Sequence, residues 1–404
     1  MKYENIEKMI NRNNENQEIN KYRIFILGAG FSVPARLPLG GELFKLVKQQ
    51  IEKSEGLETK FHQSLDEFVQ YKTNKDNIQC NVDDVDLEEF MSFLDIEHFL
   101  KLEGSDTFSE HGNAAQLYIK RYIGKVIQNR TPTADNLPEE YYEFAKKLQP
   151  HDIVITLNYD IILERALEYI GKPYRLFLNR LESIGETSST IDNSKHEVTI
   201  LKLHGSVDWF SNSIYTHRIN AFKKAGSTDF PHDPIFSKGG RYQSYPLVNG
   251  PRQPDDPLSK LFRIKKIDEF YQHNSPPDIP MLLSPSHMKI VYASPFMEFW
   301  YGMGQSGAWN SSLSIIGFSL PEHDEYIRVA LHKMIRNYQY FSWEDELFDG
   351  YKDNVKIVDF KTSDSEIDEL KKTYSFVDYK KAELYTKGFS LDAVKFLFEN
   401  KRNP

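Results

Sequence analysis

Four short segments of the sequence combine glycine or small residues with side chains that can bind a ligand or transfer a proton. Each follows an apolar run of the kind that forms a buried parallel strand. Ligands of parallel α/β sheets bind beyond the carboxyl ends of the strands, so this placement predicts that the four segments share one site. They are Gly28–Ser32, Thr156–Asp160, Lys202–Ser206 and Gly317–Pro321.

The first segment, Gly28-Ala29-Gly30-Phe31-Ser32, is typical of a phosphate-binding turn. Glycines there allow a tight turn and let backbone N–H groups approach a pyrophosphate closely. The fingerprint G-x-G-x-x-G is incomplete, because Val33 stands in the place of the third glycine. The segment by itself therefore fits a plain turn as well as a nucleotide loop.

The second segment places three polar side chains, Thr156, Asn158 and Asp160, after an apolar strand. Polar groups flanked by apolar runs cost free energy unless they have partners, which favours a binding role. Asp160 also suits the cap of a helix that starts at Ile161. Capping would explain one of the three residues.

The third and fourth segments add a candidate base and a candidate ribose contact. His204 stands at a strand end before Gly205, and an imidazole is the natural general base near neutral pH, although a single histidine is more often structural. Gly317 and Ser319 follow a later strand. A small residue and a hydroxyl there suit close contact with a ribose or a phosphate.

The segments around these residues have the patterns of strands that alternate with helices. This alternation predicts an α/β fold with a Rossmann-like, doubly wound parallel sheet. We expect helices at Glu42–Ile51, Asp86–Leu100, Ile161–Ile170 and Asp324–Arg336. We expect core strands at Tyr22–Leu27, Ile153–Leu157, Val198–Leu203, Met281–Leu283, Lys289–Ala293, Leu313–Phe318 and Val355–Phe360.

The remaining segments predict the domain organisation. We expect an N-terminal arm over 1–20, a catalytic domain over 21–362 and a charged helical tail over 363–404. The domain carries a helical insertion at 54–149 and a loop-rich insertion at 206–280. Acidic residues around Asp86 could suggest a metal site, but acids near the start of an amphipathic helix favour an ordinary helix N-terminus.

Composition narrows the classes of function. The net charge of −9 and the pI of about 5.8 argue against direct nucleic-acid binding. The basic residues near Lys260 and Arg263 favour a solvated helix face. One cysteine, Cys80, cannot build a disulfide within the chain or a Cys₄ zinc ribbon, and we expect no metal. No apolar signal core or membrane-spanning run occurs, so we expect a cytoplasmic protein.

Taken in order, these segments resemble the sirtuin superfamily, and above all its SIR2-like branch in bacterial antiphage defence proteins. Two further segments support the resemblance: Leu37–Gly40 matches a Leu-Pro-Leu-Gly motif, and Gly317–Asp324 matches Gly-aromatic-Ser-Leu-Pro-Glu-x-Asp. The resemblance spans about 22–362. The sequence differs from sirtuins at Leu157, where they carry glutamine. It also lacks their Asp-Phe-Arg motif after the glycine loop, where only Arg36 and Glu42 are nearby.

The resemblance implies a role in NAD⁺ binding for each matched residue. Asn158 would hold the nicotinamide ribose and the attacking water, Asp160 the nicotinamide carboxamide, and His204 would act as the base. Gly28, Ala29, Gly30 and Ser32 would cradle the phosphates, with Phe31 and Thr156 among the NAD⁺-binding residues and Gly317 and Ser319 at the adenosine half.

An NAD⁺ hydrolase is the function that these residues favour. NAD⁺ is then the substrate, cleaved to nicotinamide and ADP-ribose. A deacylase is the second candidate, but the zinc ribbon of such enzymes cannot be built here. The residues also leave open an NAD-binding regulatory module and a nucleic-acid-processing subunit. A nicotinamide oxidoreductase is disfavoured, because the third glycine is missing.

Control is expected to come from assembly. No P-loop or sensor module is recognisable in the sequence, and both insertions and the tail carry aromatic residues suited to interfaces. Defence proteins of the resembling kind often form oligomers and work beside a HerA-type ATPase. We therefore expect a homo-oligomer with such a partner and no membrane association.

Overall fold

The computed structural model describes most of the chain and divides it into well-defined elements. The described residues are 22–53, 58–77, 79–102, 112–185, 189–273, 278–300, 310–321, 324–340 and 352–399. The expected arm at 1–20 lies outside them, as do short pieces of both expected insertions.

The centre of the fold is a seven-stranded sheet in the order β12-β11-β10-β1-β2-β6-β3. Every neighbouring pair in this sheet is parallel. The middle strands are almost wholly buried, as expected for a sheet covered on both faces. The seven strands are β1 (Arg23–Leu27), β2 (Ile153–Thr156), β3 (Tyr174–Arg175), β6 (Val198–Lys202), β10 (Ser312–Ile316), β11 (Val355–Val358) and β12 (Ala382–Tyr385).

The strand order contains a switch point beside β1. From β1 the chain adds β2 and β6 on one side, and later β10, β11 and β12 on the other. Doubly wound sheets bind ligands in the crevice at such a point. The predicted Rossmann-like, doubly wound fold class is confirmed.

Strand register brings the four candidate segments to one edge of the sheet. Leu27 pairs with both Thr156 and Ile316, and Thr156 pairs with Lys202. The residues that follow these positions therefore emerge side by side, as the sequence predicts.

Helices cover both faces of the sheet, and the four predicted helices are confirmed to within four residues at each end. Among the described residues, no helix is long and apolar enough to cross a bilayer. The helices are α1 (Gly40–Glu52), α2 (Glu58–Asp76), α3 (Leu87–Leu100), α4 (Ala114–Arg130), α5 (Glu139–Lys147), α6 (Ile162–Tyr169), α7 (Ser213–Lys224), α8 (Ile267–Gln272), α9 (Met297–Trp300), α10 (Glu325–Tyr340), α11 (Asp364–Thr373) and α12 (Leu391–Phe398).

The acidic segment before α3 is a helix N-terminus, as predicted. The Asp86 carboxylate accepts hydrogen bonds from the backbone N–H groups of Glu88 and Glu89, which is N-capping. The apolar stripe of α3, including Phe90 and Leu94, is fully buried.

The segment 206–280 is more ordered than its loop-rich sequence predicts. It contains α7, α8 and a three-stranded antiparallel sheet in the order β7-β9-β8. Before this segment, β4 and β5 form a separate antiparallel pair. Such short strands are easily missed in a sequence rich in Pro and Gly. The strands are β4 (Leu181–Ile184), β5 (Ser189–Ile191), β7 (Trp209–Ser211), β8 (Ser244–Pro246) and β9 (Leu261–Ile264).

The predicted basic helix face is wrong. Arg263 lies on β9 rather than on a helix, and its guanidinium is buried against Asp208, with Nε to Oδ2 at 2.7 Å. A buried arginine is paired because an isolated buried charge is costly. This arginine stabilises the packing of the small sheet.

Two of the seven predicted core strands are also wrong. Lys289–Tyr292 forms a 3₁₀ helix, and Leu282 makes only an isolated bridge to Gly205. Short apolar runs have no periodicity that separates strand from other buried structure. Both segments instead pack beside the carboxyl ends of the core strands.

The tail after residue 362 is not purely helical as predicted. It contains α11 and α12, but between them β12 pairs in parallel with β11 and forms one edge of the main sheet. All four residues of β12 are half-buried. An edge strand of this kind lacks the continuous apolar run that marks a central one.

Candidate active site

A cleft of about 410 Å³ opens at the carboxyl ends of the central strands. It lies at the switch point, where the loops after β1, β2, β6 and β10 meet. Seven of the sequence-predicted residues line it: Gly28, Ala29, Ser32, Asn158, Asp160, His204 and Ser319. The other four, Gly30, Phe31, Thr156 and Gly317, lie behind its wall.

The loops after β1 and β10 are in direct backbone contact, and this contact requires glycine. A Cβ on Gly28 would lie 2.5 Å from the Cα of Phe318, and one on Gly30 would lie 2.6 Å from the Cα of Gly317. Gly317 also has a φ of +60°, which side chains rarely adopt. The glycines thus bring two ligand-facing loops together.

Several N–H groups of the glycine loop are hydrogen-bonded within the protein. Gly28 N–H donates to the Ile316 carbonyl at 2.9 Å, and Gly30 N–H donates to the Gly317 carbonyl at 2.8 Å. Phe31 N–H donates to the carbonyl of Gly28. These donors hold the loop in place and do not face the cleft, so a ligand there would meet mainly Ala29, Ser32 and the loop edge.

Phe31 belongs to the core rather than to the surface of the cleft. Its ring packs against the rings of Tyr141, Phe144 and Phe389 at centroid distances of 5.2, 5.6 and 4.5 Å. The Tyr141 hydroxyl donates to the Phe31 carbonyl at 2.8 Å and accepts from the N–H of Ala35. Tyr141 therefore supports the glycine loop from behind, a role that no local sequence signal indicates.

Ser32 joins Asn158 and Asp160 in one hydrogen-bonded group. Its hydroxyl donates to Asp160 Oδ2 at 2.7 Å and accepts from Asn158 Nδ2 at 3.0 Å. Asn158 Nδ2 also donates to the Gly28 carbonyl at 2.8 Å. These bonds use the Asn158 amide N–H groups within the protein, so its carbonyl oxygen remains to meet a ligand hydroxyl or water.

Asp160 is held at three of its atoms. Oδ1 accepts from the N–H of Ile162, the first residue of α6, at 3.0 Å, although the N-cap position itself is Ile161. Its backbone carbonyl accepts from Nζ of Lys202, which is paired with Glu164 at 2.8 Å in the buried interior. These bonds preorganise the carboxylate at the start of α6.

Thr156 stands behind this group rather than in the cleft. Its hydroxyl accepts from the N–H of Asn158 at 3.1 Å, and the residue is 6% exposed. It fixes the turn that presents Asn158 and does not itself line the cleft.

His204 is buried at the inner end of the cleft with a partner on each side of its ring. Nε2 lies 2.8 Å from the hydroxyl of Tyr326, and the ring also hydrogen-bonds the backbone of Leu157. The Leu157 N–H is already donated to the Leu27 carbonyl, so its carbonyl must accept from the imidazole. The imidazole N–H is thereby fixed on Nδ1.

Electrostatics keep this imidazole neutral. Burial lowers the pKa of His204 well below 6.5, and the nearby Lys289 ammonium lowers it further. A neutral imidazole with Nδ1–H carries a lone pair on Nε2. At neutral pH the His204 imidazole is therefore uncharged, with an unprotonated Nε2.

Lys289 and Asp324 form a buried ion pair in the wall of the cleft. Their side chains are 4% and 6% exposed, and Nζ lies 2.5 Å from Oδ1. Asp324 ends the Gly317–Asp324 motif, whereas Lys289 falls in a segment that the sequence predicts as a strand. Lys289 thus brings a paired cation to the wall of the cleft, and its sequence neighbours give no signal of that position.

Acidic groups from the helical region also reach the cleft. Asp86 and Glu88, at the N-terminus of α3, line it together with apolar Phe44 and Leu157. Among the described residues, no group of three or more His, Cys, Asp or Glu side chains is placed to hold a metal ion.

The fold is that of an α/β protein with a cleft at the switch point of a doubly wound sheet. The sequence model of a protein family, the SIR2-like domain, matches residues 152–231. That range contains β2, the Thr156–Asp160 segment, β6 and His204. The match supports a relation to the sirtuin superfamily and covers a smaller part of the chain than the resemblance at 22–362.

Comparisons with whole proteins add little. No curated protein matches the chain. The solved structures that match include "The Structural basis of Sirtuin Substrate Affinity", at 12% identity and TM-score 0.31, covering 98% of each chain. They also include "Structure of Sir2Tm bound to a propionylated peptide", at 11% identity and TM-score 0.31, covering 98% of this chain and 97% of that one. The fold assignment rests on the strand order, not on these loose superpositions.

Proposed function

We propose that this protein binds NAD⁺ in the cleft and hydrolyses its nicotinamide–ribose bond, releasing nicotinamide and ADP-ribose. One observation carries the proposal. Asn158, Asp160 and His204 lie in the SIR2-like segment and meet the glycine loop on a single cleft at the switch point.

The reaction needs a positioned ribose, a water molecule and a base. In the proposed step, the water oxygen bonds to C1′ while the C1′–nitrogen bond breaks, and the bonding pair leaves with neutral nicotinamide. The water proton passes to Nε2 of His204 and then to solvent. Asn158 would orient the ribose or the water through its amide oxygen, and Asp160 would accept from the nicotinamide carboxamide.

The surroundings of these groups suit a cationic transition state. The apolar wall, with Phe44, Leu157 and Phe318, would exclude bulk water and strengthen electrostatic interactions inside. The carboxylates of Asp160 and Glu88 would favour the developing charge on the ribose, and Lys289 would favour a phosphate.

Hydrolysis is preferred to protein deacylation because of the acceptor. A deacylase of the sirtuin kind presents acyl-lysine beside a Cys₄ zinc ribbon, and a chain with the single cysteine Cys80 cannot supply four thiolates. Water is then the acceptor that the chemistry favours.

The biological setting that we propose rests on the sequence resemblance. A cytoplasmic NAD⁺ hydrolase that depletes NAD⁺ in antiphage defence would need restraint, and we propose a homo-oligomer that works beside a HerA-type ATPase. Native mass measurements, alone and with that partner, test this part separately from the chemistry.

The test of the activity is direct. Purified protein is incubated with NAD⁺, with and without the partner, and the products are separated and identified by mass spectrometry. We expect nicotinamide and ADP-ribose. Acetyl-lysine peptide should neither lose its acetyl group nor speed the reaction; deacetylation would establish the deacylase instead.

The variants Asn158→Ala and His204→Ala identify the residues. Loss of a positioned base typically lowers a rate by about 10²–10⁴-fold, and each variant should show a loss in this range while NAD⁺ still binds. Retention of more than about a tenth of wild-type turnover would remove that residue from the proposed chemistry.

A further inference from the structure

Tyr326, which is hydrogen-bonded to His204, takes no part in the reaction proposed above. The Tyr326 hydroxyl lies 2.8 Å from Nε2 of His204, the ring nitrogen that carries the lone pair. Burial raises the pKa of Tyr326 above its ordinary value, so the hydroxyl keeps its proton. Because the Leu157 carbonyl holds the imidazole N–H on Nδ1, the hydroxyl donates to the unprotonated Nε2. The base is therefore occupied in this structure.

Tyr326 is presented by the first turn of α10. The Arg328 N–H donates to the Asp324 carbonyl at 2.9 Å, which closes that turn, and the Tyr326 ring lies 5.2 Å from the ring of Trp300. The hydroxyl has a single described hydrogen-bond partner, His204, whereas the ring is half-buried and packed. The ring thus has a packing role, and the hydroxyl acts on the histidine.

Two further contacts hold the first turn of α10 in place. Asp324 pairs with Lys289 at 2.5 Å, and Arg328 donates to the Leu320 carbonyl at 2.9 Å. These contacts hold the start of α10 beside the loop that follows β10.

We propose that Tyr326 restrains the site by competing with the substrate for Nε2 of His204. A neutral imidazole has one lone pair, so a ribose hydroxyl or water can reach it only after the Tyr326 hydroxyl leaves. The Leu157 carbonyl fixes the tautomer without help from Tyr326. Removal of the hydroxyl should therefore release the base without disordering it. The expected change in NAD⁺ turnover rests on the proposed function, whereas the contact between Tyr326 and His204 does not.

The kinetic test compares wild type with Tyr326→Phe, which keeps the ring and removes the competing hydroxyl. A neutral hydrogen bond typically contributes a factor of about two to tenfold, and we expect kcat/KM for NAD⁺ to rise by that amount. In a His204→Ala background the same substitution should have no effect, because the contested atom is gone. A fall or no change in the wild-type background would overturn the proposal.

Tyr338→Phe is the matched control. Tyr338 lies on the same helix, and its hydroxyl donates to the carbonyls of Ser311 and Asp353. Neither partner contacts His204 through a described hydrogen bond. Its loss should lower stability and leave kcat/KM unchanged. If both variants raise kcat/KM alike, general loosening of α10 explains the gain and the competition is refuted.

A second measurement does not depend on NAD⁺ turnover. The ¹⁵N resonance of His204 Nε2, assigned by comparison with His204→Gln, reports the hydrogen bond that this nitrogen accepts. In Tyr326→Phe it should shift downfield, while Nδ1 stays protonated. An unshifted resonance would overturn the competition even if NAD⁺ were hydrolysed; a shift without any NAD⁺ consumption would sustain the contact and refute only the proposed hydrolase.

Discussion

Ser32 and Asp160 are joined by a buried hydrogen bond of 2.7 Å from Oγ to Oδ2, which ties the loop after β1 to the loop after β2. The two residues are 128 positions apart in the chain. Because the Ser32 hydroxyl also accepts from Asn158, one small side chain sets the spacing of three residues of the candidate site.

Ser32→Ala should therefore affect both stability and turnover. It leaves the Asp160 oxygen buried with one partner fewer, which costs about 1–3 kcal/mol of unfolding free energy. Displaced Asn158 and Asp160 side chains should lower NAD⁺ turnover by about 10–100-fold. Urea unfolding and product formation are the measurements.

Ser227→Ala provides the comparison for that variant. Ser227 is partly exposed and its hydroxyl donates within its own loop, to the Asp229 carbonyl. Its unfolding free energy should change by less than about 0.5 kcal/mol, with turnover intact. Equal losses in the two variants would show that the Ser32–Asp160 bond has no special role.

The buried imidazole of His204 predicts a pH dependence with a definite sign. Its pKa is lowered in the folded state, first by burial and then by Lys289, whereas the unfolded chain titrates near 6.5. Stability from this group is therefore complete above about pH 6.5 and is lost as pH falls toward the folded pKa, by up to about 1.4 kcal/mol per pH unit. The Leu157 backbone partly opposes this lowering of the pKa. The other ionisable groups nearby are Tyr159 and Tyr326, whose rings face the imidazole, and Asp324, which is paired with Lys289.

Chemical unfolding of wild type and His204→Gln between pH 7 and pH 5 measures this effect. The variant should lose less stability over the range, because it lacks the proton that the unfolded wild type takes up. Turnover of the wild type should persist below pH 6.5, since the base is still unprotonated there. Parallel stability curves for the two proteins would show that His204 titrates normally.

How far the sequence reveals this site depends on whether its signals are local. Asn158, Asp160 and His204 follow clear strands, so their meeting could be predicted. Tyr141, Tyr326 and Lys289 reach the site from helices far along the chain, and only tertiary packing shows it. The glycine loop was recognisable as a turn, but its contact with Gly317 depends on β1 and β10 being neighbours.

The secondary structure shows the same division. Central strands with continuous apolar runs, such as β1 and β6, were predictable, because both of their faces are buried. The half-buried edge strand β12 and the 3₁₀ helix at Lys289–Tyr292 were not, because their patterns are set by neighbours rather than by periodicity.

The Lys289–Asp324 pair predicts unequal effects of single and double substitutions. Lys289→Met leaves the Asp324 carboxylate buried without its cation, which typically costs about 3–5 kcal/mol of unfolding free energy. The double variant Lys289→Met/Asp324→Leu removes both charges and should recover most of that loss. Denaturant unfolding of wild type, the single variants Lys289→Met and Asp324→Leu, and the double variant forms the cycle. Simple additivity of the two single losses would mean that the ion pair is not coupled.

The contact between the two glycine loops predicts a sharp difference between glycines. A methyl group at Gly30 would lie 2.6 Å from the Gly317 Cα, so the loops would have to separate, whereas a Cβ at Gly41 meets nothing within 4 Å. Gly30→Ala should cost about 1–3 kcal/mol of unfolding free energy, the usual cost of overpacking, and should lower NAD⁺ affinity because the loops no longer meet. Gly41→Ala, on helix α1, should be neutral or slightly stabilising, since alanine favours a helix over glycine by up to about 1 kcal/mol. Thermal and urea unfolding compare the stability of the two variants, and calorimetric titration with NAD⁺ compares their affinity. If Gly30→Ala is as stable as Gly41→Ala, the loops can separate freely, and the close approach does not hold this site together.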